Sequence, residues 1–242
     1  MSALGIIPAR YASQRLPGKP LRKLGGKPLV QWVWEAAQQA QSLNRVIIAT
    51  DSERVAAVCR NFGAEVVLTP PDLPSGTDRV AVAYTQLQLQ DSIVLNLQTD
   101  EPLLQPEHVD ALVQALQDHP HWDAATLIQP LVAEPELFSP AVVKVVLRTD
   151  GTALYFSRSP IPHVRGYPTT EWLHSTRFWK HIGLYAYRAP LLQHFRFLPP
   201  SPLELAEGLE QLRLLQAGFT IGCLPMEGSL VGVDTLEQLI AL

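Results

Sequence analysis

The sequence predicts a three-layer α/β fold, a sheet with helices on both faces. Three observations predict it. Short apolar runs alternate with amphipathic segments through the first half, the pattern of a parallel sheet covered on both sides. The alternation breaks after about residue 130, which points to an excursion grafted onto the sheet. The chain has 242 residues, 47% of them hydrophobic, with a formal charge of −4, enough apolar material for one sizeable core and too little net charge for disorder.

The elements follow in order. Leu4 to Ile7 reads as a first strand. Pro28 to Ala40 reads as a helix, with Pro28 near its first turn and Leu29, Val33, Ala36 and Ala40 on one face. Val46 to Ala49 is a second strand, and Asp51 or Ser52 can cap the helix that runs to Phe62. Val66 to Leu68 is a third strand, Thr77 to Leu89 a third helix and Ile93 to Leu97 a fourth strand, followed by a helix from Pro106 to Leu116. Later come strands at Val142–Leu147, Ala153–Ser157 and His181–Tyr187, with the Pro-, Gly- and aromatic-rich segment 160–180 as an excursion from the core. A helix from Pro202 to Ala217, a strand near Ile221 and a last helix after Asp234 complete the chain. The whole reads as a single domain, 1–242, with the excursion inside 130–200.

Composition narrows the function. Nineteen basic residues against 23 acidic create no global field for nucleic acid or anionic lipid. No stretch approaches 18 apolar residues, so no membrane span is expected, and the apolar start is too short for a signal peptide. Cys59 and Cys223 lie far apart and lack metal-ligand spacing. Cys59 sits among Val55, Val58 and Phe62 as a buried thiol, and the chain reads as reduced and cytoplasmic.

Two segments carry chemistry. Ile6 to Pro20 follows the first strand and gathers Arg10, Arg15 and Lys19 in one loop stiffened by Pro8, Pro17 and Pro20. Ligands of open α/β sheets bind beyond the carboxyl ends of the strands, and three cations there suit a polyphosphate. The bland alternative is a solvated basic loop. Neither GxGxxG nor GxxxxGK[ST] is present, which counts against a dehydrogenase or a P-loop enzyme. Asp100 and Glu101 follow the fourth strand and point at the same crevice. A carboxylate opposite a phosphate loop suits a Mg²⁺-nucleotide, although an aspartate at a strand-to-helix turn also serves as an N-cap. Asp234, in Val231-Gly-Val-Asp-Thr235, is a second acidic candidate with the same capping alternative. Ser75-Gly-Thr-Asp-Arg79 is a turn before a helix, either a cap or a reader of base or phosphate.

Taken together and in this order, these segments resemble the 3-deoxy-manno-octulosonate (Kdo) cytidylyltransferases. The resemblance spans nearly the whole chain and includes Tyr155-Phe-Ser-Arg-Ser-Pro-Ile-Pro162, His181-Ile-Gly-Leu-Tyr-Ala-Tyr-Arg188 and Leu209-Glu-Gln-Leu-Arg213. It departs from the family pattern at Thr99, where Gly is usual, and at Ser229-Leu-Val231, where Pro-Gly-Thr is usual. The resemblance implies a nucleotide-diphospho-sugar transferase-like (Rossmann-like) sheet with an inserted dimerisation subdomain, working as a cytoplasmic homodimer. It implies Mg²⁺-dependent transfer of CMP from CTP to Kdo, releasing pyrophosphate. Carried over residue by residue, Arg10, Arg15 and Lys19 contact the triphosphate, and Ser75 and Gly76 lie by the cytidine. Asp100 and Asp234 hold the metal, with Arg10, Lys19 and Asp100 the catalytic set. Gln98, Arg158, His181, Tyr185, Glu210 and Gln211 surround the sugar acid. On the residues alone, Glu210 and Arg213 are also a plausible surface pair and His181 a core histidine. A related acid, such as an 8-amino Kdo or a sialic acid, and a non-catalytic nucleotide-binding protein of the same fold are the competing readings.

Overall fold

The computed structural model describes residues 2–12 and 16–226. β1 (Ala3–Pro8) leads to a single 3-10 turn at Lys19–Leu21 and a small ribbon, β2 (Lys23–Leu24) with β3 (Lys27–Pro28). There follow α1 (Leu29–Gln38), β4 (Leu43–Thr50), α2 (Glu53–Asn61), β5 (Glu65–Leu68), α3 (Gly76–Gln86), β6 (Ile93–Asn96) and α4 (Pro106–Asp118). Proline opens α4 and Gln105 with His108 forms a reciprocal cap there. The second half holds β7 (Ala124–Pro130), α5 (Glu134–Phe138), β8 (Lys144–Leu147), β9 (Ala153–Ser157), α6 (Trp172–Ser175), β10 (Trp179–Arg188), α7 (Ala189–Phe195), α8 (Pro202–Glu207), α9 (Gln211–Gln216) and β11 (Ile221–Pro225).

Among the described residues the main sheet has the order β11-β7-β10-β6-β1-β4-β5, with the β8–β9 hairpin joined to it through β10. Successive residues of a strand point to opposite faces, which divides the core in two. Ile7, Ile48 and Leu95 pack under α1, α2 and α4. Their chain neighbours Ile6, Ile47 and Val94 pack under α3, α7 and α9. This is the three-layer arrangement expected. A small third cluster of Leu131, Leu137, Trp172 and Phe178 lies inside the 131–178 excursion.

Three expectations need correction. The sheet is mixed, because β10 runs antiparallel to both β6 and β7. The long 131–178 segment brings the chain back to the sheet at the same end at which β7 leaves it, so no helical crossover is needed. The helix foreseen over 202–217 is two helices, since Gly208 takes a left-handed conformation (φ 63°) and ends α8. Ser52 stands at the start of α2 but makes no capping bond with its side chain, and the Asp51 carboxylate turns to Tyr11 N and Arg79 instead. The last helix expected after Asp234 lies outside the described residues. Cys59 and Cys223 are both free and buried, and burial pushes each thiol up to about 12, which leaves neither a nucleophile.

The antiparallel β10 decides where the site forms. Tyr185 pairs with Asn96 at the carboxyl end of β6, so the earlier part of β10 overhangs that end. The strand that starts at Trp179 therefore delivers His181 and Gly183 to the edge where β1, β4 and β6 finish.

Candidate active site

Two adjoining cavities open at this edge. The first, about 440 Å³, is lined by Pro8, Arg10, Lys19, Ser75, Gly76, Arg79, Thr99 and Asp100 among others. The second, about 290 Å³, is lined by Asn96, His181, Gly183, Tyr185, Tyr187, Gln211 and neighbours. Gln98, Asp100 and Glu210 belong to both linings and form the wall between them. Residues separated by more than 100 positions in sequence thus share one wall.

The first cavity is cationic. Gly18, at φ 66°, donates its N–H to Tyr11 O and closes the loop after β1, which aims Lys19 at the carboxyl end of β6. Lys19 Nζ meets Asp100 Oδ2 at 2.9 Å. Arg10 is exposed at the cavity rim, and Arg15 lies outside the described residues. Arg79 is a cation that sequence reasoning missed. It is 1% exposed, pairs with Asp51 at 3.4 Å and donates to Thr69 Oγ1 and Pro70 O. Burial lowers its pKa, the facing Asp51 opposes that, and Arg10 adds to it. The Ser75–Arg79 motif was visible, but it reads as a cap. That reading holds for the Ser75 side chain, whose oxygen accepts from Asp78 N at 3.0 Å and whose hydrogen goes to Asp78 Oδ2. What remains for a ligand is the open backbone of Gly76 at the start of an eleven-residue helix. Thr99 is buried in the wall, and Asp100 keeps its place beside it.

The second cavity has the carboxylates Asp100, Glu101 and Glu210 at one side, and uncharged donors and acceptors line the rest. Two extra residues, Gly183 and Leu184, bulge out of β10 where it pairs with β7, a distortion that re-aims the side chains around it. His181 Nε2 lies 3.1 Å from Thr126 Oγ1. The hydrogen of that hydroxyl is directed at the Ile182 and Leu184 carbonyls, so its oxygen accepts from Nε2–H. This leaves Nδ1 as an acceptor. Burial holds the His181 pKa down at about 3, and the ring is neutral at physiological pH. Tyr185 stacks on Tyr187 with centroids 5.5 Å apart, and burial raises both phenols. The Tyr185 hydroxyl and Gln211 Nε2 are buried without a hydrogen-bonding partner of good geometry. Leaving such donors unmade costs on the order of 1–3 kcal/mol each, a cost that a polar ligand removes. Burial raises the Glu210 carboxyl; the hydrogen bond from Thr77 opposes that shift.

Arg158 stands apart from the other sugar candidates. It lines neither cavity and donates to the Glu207, Pro140 and Gly208 carbonyls. Glu207 anchors it in return, accepting from Ser157 Oγ and Arg158 N. Burial pushes that carboxyl up, but these bonds outweigh burial and hold it low. Beneath them Lys144 is fully buried, its ammonium shared among the Ser139, Val142 and Arg158 carbonyls. The guanidinium is thus fixed behind Gly208, which does line the second cavity.

A divalent cation fits the donor set. Asp100 supplies hard oxygens at the wall between the cavities, and Mg²⁺ takes one or two carboxylates together with phosphate oxygens. No group of three or more ligating side chains occurs among the described residues, and Asp234 lies outside them.

The sequence profile of cytidylyltransferases matches residues 4–221. A curated 3-deoxy-manno-octulosonate cytidylyltransferase of Chlorobaculum parvum is 47% identical over 99% of this chain and 95% of its own length. The chain belongs to this cytidylyltransferase family. The enzyme of the same name from Cytophaga hutchinsonii is 43% identical over 99% of the chain and 96% of its own length. Among solved structures, CMP:2-keto-3-deoxy-manno-octonic acid synthetase complexed with CTP superposes with a TM-score of 0.92 at 42% identity, covering 100% of this chain and 96% of that one. A cytidylyltransferase from Leptospira borgpetersenii, at 16% identity and a TM-score of 0.63, covering 98% of this chain and 83% of that one, shares the fold. Among the described residues no helix is long and apolar enough to cross a membrane.

Proposed function

We propose that this chain transfers CMP from CTP to the anomeric hydroxyl of Kdo, releasing pyrophosphate, in the synthesis of lipopolysaccharide or another cell-surface polysaccharide. One observation carries the reading. A cation-lined cavity and a cavity with unmet donors share the wall of Gln98, Asp100 and Glu210, where a nucleotide and a polyol acid would meet.

Each side chain has a role in such a transfer. Arg10, Arg15 and Lys19 bind the triphosphate and meet the charge that grows on pyrophosphate as it leaves. Lys19 is already Asp100's counter-ion, so a phosphate oxygen enters a pair that exists before binding. Arg79 holds Asp51, which holds Tyr11 N, so the buried cation steadies the loop after β1. Gly76 leaves room for the nucleoside, since a Cβ there would lie 3.4 Å from the Gln98 amide. In the second cavity His181 Nδ1 accepts from a sugar hydroxyl, while Tyr185 and Gln211 donate. Arg158 faces the sugar carboxylate across Gly208. This binding array orients the anomeric oxygen toward the α-phosphorus, and orientation is its main catalytic contribution.

Asp100 and Asp234 would hold Mg²⁺. When bound, Mg²⁺ neutralises phosphoryl charge and acidifies a hydroxyl. The placement of β11 supports the second ligand. β11 runs parallel to β7 and ends at Pro225 beside Ile128, so the chain leaves the sheet at the ligand edge eight residues before the Gly-Val-Asp motif's Val233. We also propose a cytoplasmic homodimer, with the excursion as the contact. Val132 is 83% exposed and Tyr167 53%, and both flank the small Leu131–Trp172 cluster.

Pyrophosphate release from CTP, with and without Mg²⁺, across Kdo, an 8-amino Kdo and a sialic acid tests the function. Release with Kdo and Mg²⁺ is expected. Preference for another acid reassigns the sugar, and CTP binding with no release for any acid makes the chain a non-catalytic nucleotide binder.

A further inference from the structure

Behind the shared wall runs a chain of hydrogen bonds with one sense. Thr77 Oγ1 donates to Glu210 Oε2 at 2.6 Å. Its single hydrogen is then spent, and its oxygen accepts from Asn96 Nδ2 at 3.3 Å. Asn96 Oδ1 is left to accept from Gln98 Nε2 at 2.8 Å. Asn96 is 1% exposed and Thr77 5%, so water does not compete for these atoms. The Tyr187 hydroxyl closes on Thr77 and Asn96 from β10. The consequence is at the two ends of the chain. Gln98 has its NH₂ turned inward and its carbonyl oxygen left over, and the Glu210 carboxylate is held in place by the Thr77 hydroxyl, with the Thr77 N–H and Ser75 also against it. Gln98 and Glu210 line both cavities.

We propose that Thr77 and Asn96 are positioning residues that fix Gln98 and Glu210 as a pair of hydrogen-bond acceptors, and so make the junction select a ligand with neighbouring hydroxyl groups. The inference rests on the second cavity being the sugar-acid site. Both residues border the second cavity, but the polar atoms that form the hydrogen-bond chain are spent within it, so they act on the ligand through Gln98 and Glu210. An amide free to flip would present NH₂ and oxygen equally and would lose the discrimination. Buried polar groups that demand particular partners discriminate more strongly than apolar ones do, because a wrong ligand leaves them unpaired.

Thr77→Val keeps the shape and removes the hydroxyl, while Thr77→Ser keeps the hydroxyl. The Val variant is expected to raise KM for Kdo about tenfold or more, with KM for CTP within about twofold of the starting protein. The Ser variant is expected to stay within about threefold for both substrates. An unchanged sugar KM in Thr77→Val, an equal rise for CTP, or equal damage in both variants overturns the proposal, since a packing role does not care about the hydroxyl. Side-chain amide signals of Asn96 and Gln98 provide a second readout that needs no turnover. Protection from solvent exchange that is lost in Thr77→Val and kept in Thr77→Ser supports the positioning chain, and protection unchanged in Thr77→Val overturns it. If the starting protein turns over no sugar acid, the proposed function falls while the amide signals still decide this point.

Discussion

At the scale of single residues, the site depends on charges whose surroundings are already set. Asp100 meets Lys19 at 2.9 Å, and it lines both cavities. Asp100→Asn keeps the volume and removes the anionic oxygen. Turnover at saturating Mg²⁺ should fall by about 100-fold or more, while the circular dichroism spectrum and melting temperature change little. Near-normal turnover would take Asp100 out of the site. His181 gives a pH-dependent expectation. Its folded pKa is about 3 against 6.5 when unperturbed, so the unfolded chain binds the proton first. The stability tied to its neutral form is fully present above pH 6.5 and is lost as pH falls from there toward 3. His181→Gln should therefore flatten the fall of melting temperature across that window, leaving the slope from His108, whose pKa burial also lowers. An unaltered slope would show that the ring is already solvated. Arg10 and Asp100 were legible because a charged residue just past an apolar strand has few places to go, and Lys19 because it shares a proline-stiffened loop with Arg10. Arg79 was not, because a cation inside a capping turn looks the same whether it faces water or a buried aspartate.

At the scale of elements, legibility followed apolar contrast. β1, β4, β5 and β6 are aliphatic runs bounded by polar residues, and each was placed within a few positions. β7, with the sequence Ala-Ala-Thr-Leu-Ile-Gln-Pro, was passed over although it is central to the sheet. Small and polar residues stand in it because Thr126 must reach His181 and the bulged carbonyls of β10. Strand direction leaves no mark in composition, which is why a parallel sheet was expected. The same economy of space appears in β11. A Cβ added at Gly222 would lie 1.9 Å from the Trp122 ring, so the strand passes directly beneath the indole. Gly222→Ala should destabilise by about 1–3 kcal/mol, or more if Trp122 is forced off the sheet. Denaturant unfolding measures this, and a loss of unfolding free energy under about 0.3 kcal/mol would mean the ring moves freely.

At the scale of the whole molecule, one wall serving two cavities couples the two ligands. A nucleotide triphosphate and a sugar acid are both anions. The residues between them are Gln98 and two carboxylates, Asp100 and Glu210, with Lys19 paired to the first. Without a divalent cation, the anions meet across a wall that is itself acidic, and the low local dielectric strengthens the repulsion. A cation at Asp100 reverses the sign of the local field. Titration calorimetry with a non-hydrolysable CTP analogue should therefore show weaker Kdo binding when the analogue is present in chelator, and equal or tighter binding when it is present with Mg²⁺. Linkage requires the same factor for analogue binding in the presence of Kdo, which provides an internal check on the measurement. Arg158 adds a further split, because its guanidinium is fixed behind Gly208 on the side of the second cavity alone. Arg158→Ala should raise KM for the sugar acid several-fold more than KM for CTP, about threefold or more, because a positive charge is lost from behind that cavity alone. Equal rises would mean that removing the side chain loosens the wall itself, by freeing the Glu207–Gly208 turn that leads into Glu210, which lines both cavities.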